Sequence, residues 1–395
     1  MQEPIWIDEP AALERLLETL AAQPAYALDT EFHRERSYFP HVALIQIGWK
    51  GGIALVDPLA VDAAPLAKVL QGSALAVLHA ADQDLEVLQK LCGCVPTRLF
   101  DTQIAGAFLG RGFSSLTRLV QDVVGLQLTK GDRLTDWTRR PLSPAQLAYA
   151  ASDVAHLLEI EATLRREAEA SGVLLWVEEE CERLRTRNFD PPDPENAWWK
   201  IKGSRGLAQR QKAVAQEVAA WREQTAARRD IPPRFVLSDL ALAGIVQRAP
   251  RNPGELAQIR GLEGRGLKGN PETEVLAAVA RGLALAVEDV RLPPRGEPPL
   301  EEVGPVVTLG LALVAGIAAE RGIEPSVLAT RGDVQGYLSG RTGTRLHSGW
   351  RKGLAAEALE NLRAGRVALA SDGEGGIRVI ALADDGRLDA RVVPS

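Results

Sequence analysis

The sequence predicts an α/β domain with a mixed sheet flanked by helices, followed by one or two small helical domains. Two observations carry the first half of this reading. Short apolar runs bounded by Gly, Pro or charged clusters fill the early part of the chain, and segments of helical periodicity are interleaved with them. A third observation divides the chain: "FDPPDPENAWW" (189–199) and "VRLPPRGEPPLEEVGP" (290–305) are proline-rich and read as linkers or domain margins. The expected domains are therefore 1–192, 200–290 and 300–395.

Within the first domain, "AYALDTEF", "VALIQIGW", "GIALVDP" and "LAVLHA" read as strands. "PAALERLLETLAA", "DQDLEVLQKL", "SSLTRLVQDVV" and a long run from Ser143 to about Ala170 have helical periodicity. The middle segment, from "LAQRQKAVAQEVAAW" to "ELAQIRGL", reads as helices joined by short Pro-containing turns. The last segment begins helical and ends in "RVALASDGEGGIRVIAL", two apolar runs around a Gly-rich turn, which predicts a β-hairpin.

Composition narrows the class. Hydrophobic content of 46% and charged content of 25% are those of a globular protein in water. A net charge of −6 does not announce a nucleic-acid binder and does not exclude one, because binding depends on where positive charge clusters. Three cysteines, Cys92, Cys94 and Cys181, make neither a disulfide framework nor a zinc site, which fits a reducing cytoplasm. The opening "MQEPIWIDEP" has no basic and apolar regions of a signal peptide. The longest apolar run, "VVTLGLALVAGIAA" (306–319), is too short to span a bilayer and predicts a core helix, so no membrane partner is expected.

The acids are where the sequence departs from a bland fold. Residues i and i+2 of a strand share a face, so Asp29 and Glu31 of "YALDTEFHRERSYFP" project together, with Thr30 pointing the other way. Two adjacent carboxylates repel; either both are solvated at a strand end or a divalent cation relieves them. In "LHAADQDLEVLQKL", Asp84 shares its helix face with Val87, Leu88 and Leu91 and is drawn towards the interior, whereas Asp82 lies on a polar face and reads as an N-cap. In "SPAQLAYAASDVAHLLEI", Ser143 and Pro144 mark a helix start, and Tyr149 and Asp153 lie four apart on one face. A Tyr/Asp pair at that spacing is by itself an ordinary local hydrogen bond.

Taken together, Asp29, Glu31, Asp84 and Asp153 with Tyr149 resemble the DEDDy class of 3′→5′ exonucleases. The blocks "LDTEFHRERSYFPHVALIQI", "LHAADQDLEVL", "LFDTQIAGAFLG" and "LTKGDRLTDWTRRPLSPAQLAYAASDVAHLL" extend the likeness to the ribonuclease D family over about residues 4–190. The middle segment resembles an HRDC domain, and the last, through "LHSGWRKGLAAEALENLRAG", more loosely a degenerate second one with the terminal hairpin.

The resemblance implies a ribonuclease H-like exonuclease fold and hydrolysis assisted by two divalent ions, Mg²⁺ or Mn²⁺, which favour oxygen ligands. It implies that Asp29, Glu31 and Asp153 hold the ion that binds the attacking water, that Asp29 bridges to a second ion reached by Asp84, and that Tyr149 orients the water. Its implied partner is the 3′ end of structured RNA such as a tRNA precursor, trimmed to 5′-mononucleotides by a monomer. The same chemistry on DNA, and a silent nucleic-acid scaffold, are the competing readings.

Candidate substrate contacts are Phe32, by stacking on a terminal base or else packing in the core, and Arg34 and Arg36, as phosphate contacts or ordinary surface arginines. Lys130 matches a family position at the mouth of the site. Trp137 with Arg139 and Arg140 reads either as substrate contact or as a packing corner for the Tyr149 helix. Asp101 with Thr102 reads as a helix cap, and His79 and His156 as structural. "WWKIKGSRGLAQRQK" carries Lys200, Lys202, Arg205, Arg210 and Lys212 with no acid between them, which suits either a nucleic-acid surface or a solvated linker whose tryptophans pack on the catalytic domain.

Overall fold

Alternation of apolar residues along the early runs builds one six-stranded mixed sheet, seen in the computed structural model, which describes residues 3–128, 135–262, 269–293 and 304–382. Its strands are β1 (Ile5–Ile7), β2 (Ala25–His33), β3 (His41–Trp49), β4 (Gly52–Val56), β5 (Leu75–Leu78) and β6 (Leu99–Asp101), in the order β1-β4-β3-β2-β5-β6. β2 sits inside the sheet, antiparallel to β3 and parallel to β5. Its register with β3 slips between Glu31 and Phe32, a bulge at the end of the acidic stretch.

Helices cover both faces. α1 (Pro10–Ala21) starts with proline in its first turn and buries Leu13, Leu16, Leu17 and Leu20, the three-and-four spacing of one helical stripe. α2 (Ala67–Leu70), α3 (Asp82–Cys92), α4 (Thr102–Phe108) and α5 (Leu116–Val124) follow along the chain. The long helical run expected from Ser143 to about Ala170 is two helices, α6 (Pro144–Ala155) and α7 (Leu157–Ala170). They meet at His156, whose φ of −113° and ψ of −2° break the regular ladder. Ser143 caps α6 through a capping box with Gln146, as its position after a turn and before Pro144 predicts. α6 lies close on the sheet because β3 offers Gly48: a Cβ there would meet the Val154 carbonyl at 3.0 Å. α8 (Leu174–Arg185) completes this part.

The middle unit has its own hydrophobic core. α9 (Gln209–Arg229) packs against α10 (Pro233–Val236), α11 (Asp239–Arg248) and α13 (Asn270–Ala284), with the short α12 (Pro253–Ala257) beside them. Trp198 is 0% exposed inside this core, and Trp199 donates its indole N–H to the Arg291 carbonyl. The two tryptophans thus pack in the core of the middle unit, Trp198 fully enclosed and Trp199 at its edge. A large indole is stable where apolar helix faces can enclose it, and α9 supplies Val214 and Val218 for that.

The last helices behave differently. α14 (Gly304–Glu320), α15 (Pro325–Leu328), α16 (Arg331–Leu338), α17 (Gly349–Arg351) and α18 (Glu357–Arg363) share one contiguous core with the sheet domain, and the hairpin of β7 (Val367–Ser371) and β8 (Ile377–Ala381) follows. Trp350 stacks on Trp176 with ring centroids 5.1 Å apart and meets Phe108 edge-on at 5.1 Å. The Glu324 amide donates to the Ala107 carbonyl at 2.8 Å. Beneath them the buried Glu180 is ion-paired with the buried Arg351, and Arg183 holds its other oxygen at 2.8 Å. Burial works against the Glu180 charge, but the hydrogen bonds from Arg351 and Arg183 outweigh it and bring its pKa down to about 2. Among the described residues no helix is long and apolar enough to cross a membrane.

Candidate active site

The alternation of β2 puts Asp29 and Glu31 on the face covered by α6, and α6 returns Asp153 to them. One carboxylate oxygen from each of Asp29, Glu31 and Asp153 lies within 4.8 Å of the others. Neither Asp29 nor Glu31 has a basic partner among the described residues. The physical result is strain on charge. Burial first, then Asp84, Asp153 and Glu31, push the Asp29 carboxyl well above the usual carboxylate range, against a lowering hydrogen bond from the Thr30 amide. Burial beside Asp153 and Asp84 pushes Glu31 up to about 8.

Asp84 stands next to this cluster but outside it. It points inward, buried on α3 as its apolar neighbours predict, and Thr30 holds it: the Thr30 hydroxyl donates to Asp84 Oδ1 at 2.6 Å and the Thr30 amide to the same oxygen at 3.1 Å. Burial raises the Asp84 pKa, the two Thr30 bonds lower it, and the balance is about 7. Thr30 therefore links the two acidic segments. A hydroxyl on the core-facing side of an apolar strand needs a partner, and that need was its only signal in the sequence.

α3 is aimed by the turn before it. Ala80 has φ of +57°, a conformation rare outside glycine, and Asp101 fixes it by accepting from the Ala80 amide at 3.2 Å and the Ala81 amide at 2.9 Å. Asp101 also caps α4 through the Gln103 and Ile104 amides, the structural role expected of it. Asp82 is not an N-cap: Ala81 occupies that place, and Asp82, in the first turn, pairs with Arg187. His79 meets the Thr102 hydroxyl at 3.0 Å and His156 lies 3.7 Å from Glu159, both structural contacts.

Tyr149 is half-buried one helical turn before Asp153, its ring tilted against Trp137 at 6.0 Å. Trp137 is nearly buried, and Arg140 grips Asp57 at 2.6 and 2.7 Å and the Ala43 carbonyl at 2.6 Å. Trp137 and Arg140 therefore form the packing corner behind the Tyr149 helix. Arg139 is exposed beside Asp136.

Of the candidate substrate residues, Phe32 is half-buried just past the bulge. Arg34 is bound to Glu86 at 2.6 Å, so its charge is partly spent, while Arg36 is exposed. Both line a cleft of about 1150 Å³ between the sheet domain and the middle unit, together with Phe39, Lys90, Lys200 and Phe235. The cleft follows directly on from β2, though none of the four acids lines it. Asp230, at the end of α9, ties down its near wall: Oδ1 accepts from the Tyr38 and Phe39 amides at 3.0 Å each, and Oδ2 pairs with His41. Lys130 lies outside the described residues.

The donor set fits a hard divalent cation: three converging carboxylates with a fourth alongside, all oxygen ligands and all anionic once ionised. A further residue escaped sequence reasoning. Gln46 is paired directly opposite Asp29 and so shares its face; it is 0% exposed and neither amide atom has a protein partner among the described residues. A lone amide in the apolar run "VALIQIGW" was the available signal. A buried polar group beside crowded acids suits a hydrated ion and not a dry core.

Residues 4–169 match the family of 3'-5' exonuclease domains and residues 211–277 the HRDC domain. The fold and its acid cluster thus define a 3′→5′ exonuclease with an appended HRDC domain. Ribonuclease D of Escherichia coli is 36% identical over 89% of this chain and 96% of its own, and that of Bartonella henselae 33% identical over 91% and 90%. The crystal structure of E. coli RNase D, described as an exoribonuclease involved in structured RNA processing, superposes with a TM-score of 0.81 at 35% identity, covering 91% of this chain and 98% of that one. The chain belongs to the ribonuclease D family and is a 3′→5′ exoribonuclease.

Proposed function

We propose that this exoribonuclease depends on two divalent cations, Mg²⁺ or Mn²⁺, and trims the 3′ ends of structured RNA such as tRNA precursors, releasing 5′-mononucleotides. The observation that carries the reading is the convergence of Asp29, Glu31 and Asp153 oxygens within 4.8 Å. These three would hold one cation, and Asp29 with Asp84 the other; such a pair supplies charge relief on the scissile phosphate and an acidified water when bound.

The remaining work belongs to the chain itself. Thr30 aims Asp84 and favours its ionised form by donating two hydrogen bonds to one oxygen. Tyr149, its ring steadied by Trp137, orients the attacking water through its hydroxyl. Phe32 and the cleft beyond it, with Arg34 and Arg36, receive the 3′-terminal nucleotides. Lys130 is proposed as a phosphate contact from its place in the motif. The free thiols of Cys92, Cys94 and Cys181 support work in the reducing cytoplasm.

The test is mass analysis of products from a 3′-extended tRNA, with and without EDTA, for the natural chain and for Asp29→Ala. Mononucleotides removed stepwise from the 3′ end, abolished by EDTA and by Asp29→Ala, are expected. Undiminished hydrolysis in EDTA, or full activity of Asp29→Ala, would overturn the site assignment.

A further inference from the structure

The apolar strand β3 carries one residue that an apolar core does not explain. Gln46 is 0% exposed, yet neither Nε2 nor Oε1 has a partner among the described residues. Several other buried side chains have one such atom; Gln46 alone has two. Leaving both ends of a carboxamide unpaired in a dry interior is costly, and leucine or methionine would fill the place without that cost.

Where the amide sits decides what it can serve. Residues two apart on a strand share a face, so Gln46 lies between Leu44 and Gly48. Leu44 packs in one cluster with Leu55, Trp137 and Ala150 of α6, and Gly48 lies against the Val154 carbonyl of the same helix. The stretch of α6 from Ala150 to Val154, which carries Asp153, therefore covers Gln46. On one side its cross-strand neighbour is the buried Leu55 of β4; on the other it is Asp29. Directly opposed residues have Cβ atoms about 4.5–5.5 Å apart, and a glutamine turning about its χ angles reaches a carboxylate at that separation.

Hydrogen-bond chemistry assigns the two ends. An ionised carboxylate only accepts, so Asp29 can satisfy the Nε2 donor but not the Oε1 acceptor. Oε1 needs an N–H or O–H, and the side chains of Leu44, Leu55 and Ala150 have neither. Water supplies one, and a hard cation such as Mg²⁺ keeps several of its waters when carboxylates bind it.

We propose that Gln46 is a positioning residue for the cation pair: Nε2 donates to the Asp29 carboxylate and fixes how it presents its oxygens to the two ions, while Oε1 accepts from a water that enters with them. The proposal rests on the cation dependence proposed above and adds to the four acids a partner from the neighbouring strand. Gln46 acts through Asp29 and touches no substrate. Partners of this kind, one layer behind the ligands, typically carry about 10- to 100-fold of metal affinity.

The experiment measures Mn²⁺ binding to the full chain by calorimetry without RNA, and thermal unfolding in EDTA, for the natural chain, Gln46→Met and Gln46→Leu. Both variants keep an apolar side chain of similar size and lose both polar atoms. Expected is a Kd for Mn²⁺ about 10- to 100-fold higher in each variant. In EDTA each should melt at or above the temperature of the natural chain, because a buried amide without partners has been removed. A glutamine that only supports the fold gives the opposite pattern, a lower Tm in EDTA with Kd unchanged. An unchanged Kd in both variants would overturn the proposal. So would a Tm in EDTA lowered by more than about 3 °C in both, or failure of both to fold, since the amide would then be structural. If the natural chain itself bound no Mn²⁺, the cation dependence would fall first, and the role of Gln46 with it.

Discussion

Removing divalent cations should make the protein lose stability as the pH rises, and Glu31 is the residue through which to measure it. Its pKa stands at about 8 in the fold against an ordinary 4.5. Between those values the native chain holds a proton that the unfolded chain has released, so the stability falls with increasing pH. The loss begins above the unfolded value and is complete once the pH passes the folded one. At about 1.36 kcal/mol per pH unit the full gap is worth at most about 5 kcal/mol. Water entering a half-buried site reduces this to about 2–3 kcal/mol, or roughly 4–6 °C in Tm for a chain of this length. The assay is thermal unfolding by circular dichroism in EDTA from about pH 5 to about pH 8.5, for the natural chain and for Glu31→Gln, which cannot ionise. The natural chain should fall progressively below the variant as pH rises, and excess Mg²⁺ should restore it near pH 8. Parallel curves for the two proteins in EDTA would refute the claim that these carboxylates are crowded into shared strain.

Two further perturbations test other links. Thr30→Val keeps the side-chain shape but removes the hydroxyl 2.6 Å from Asp84; a hydrogen bond to a charged group is worth about 1.5–3 kcal/mol, so kcat should fall about 10- to 100-fold near pH 7. The rising limb of the pH–rate profile should move to higher pH with RNA affinity unchanged, since the Asp84 carboxyl then climbs above about 7. Arg351→Met strands Glu180 with Arg183 as its main remaining partner and should cost about 3 kcal/mol in urea unfolding; Glu180→Leu in the same chain should return most of that loss.

The parts of this molecule that were legible in its sequence are those set by local spacing. Alternation along β2 gave the paired acids, the apolar stripe of α3 gave an inward Asp84, and Ser143 followed by Pro144 gave the start of α6. Long-range contacts left no such trace. The break at His156 lies inside an unbroken helical pattern, and Asp82 looks like a cap until Arg187, far along the chain, is seen to hold it. Trp198 follows prolines and precedes lysines, so its neighbours suggest a surface; only the folded α9 shows it enclosed. Nothing near Arg34 in the sequence shows that Glu86 on α3 comes beside it. Thr30 and Gln46 are single polar residues in apolar strands, and what each does depends on the residue the fold sets beside or opposite it.

The core shared between the sheet domain and the last helices bears on how the chain comes to life. A polypeptide emerges from the ribosome N-terminus first, and domains ordinarily fold in that order. Here Phe108 and Trp176 wait for Trp350, and Glu180 for Arg351, about 170 to 240 residues later in synthesis. The HRDC domain, with a core of its own, can finish before the nuclease that precedes it. During synthesis one side of the sheet-domain core therefore stays uncovered until the last helices have been made.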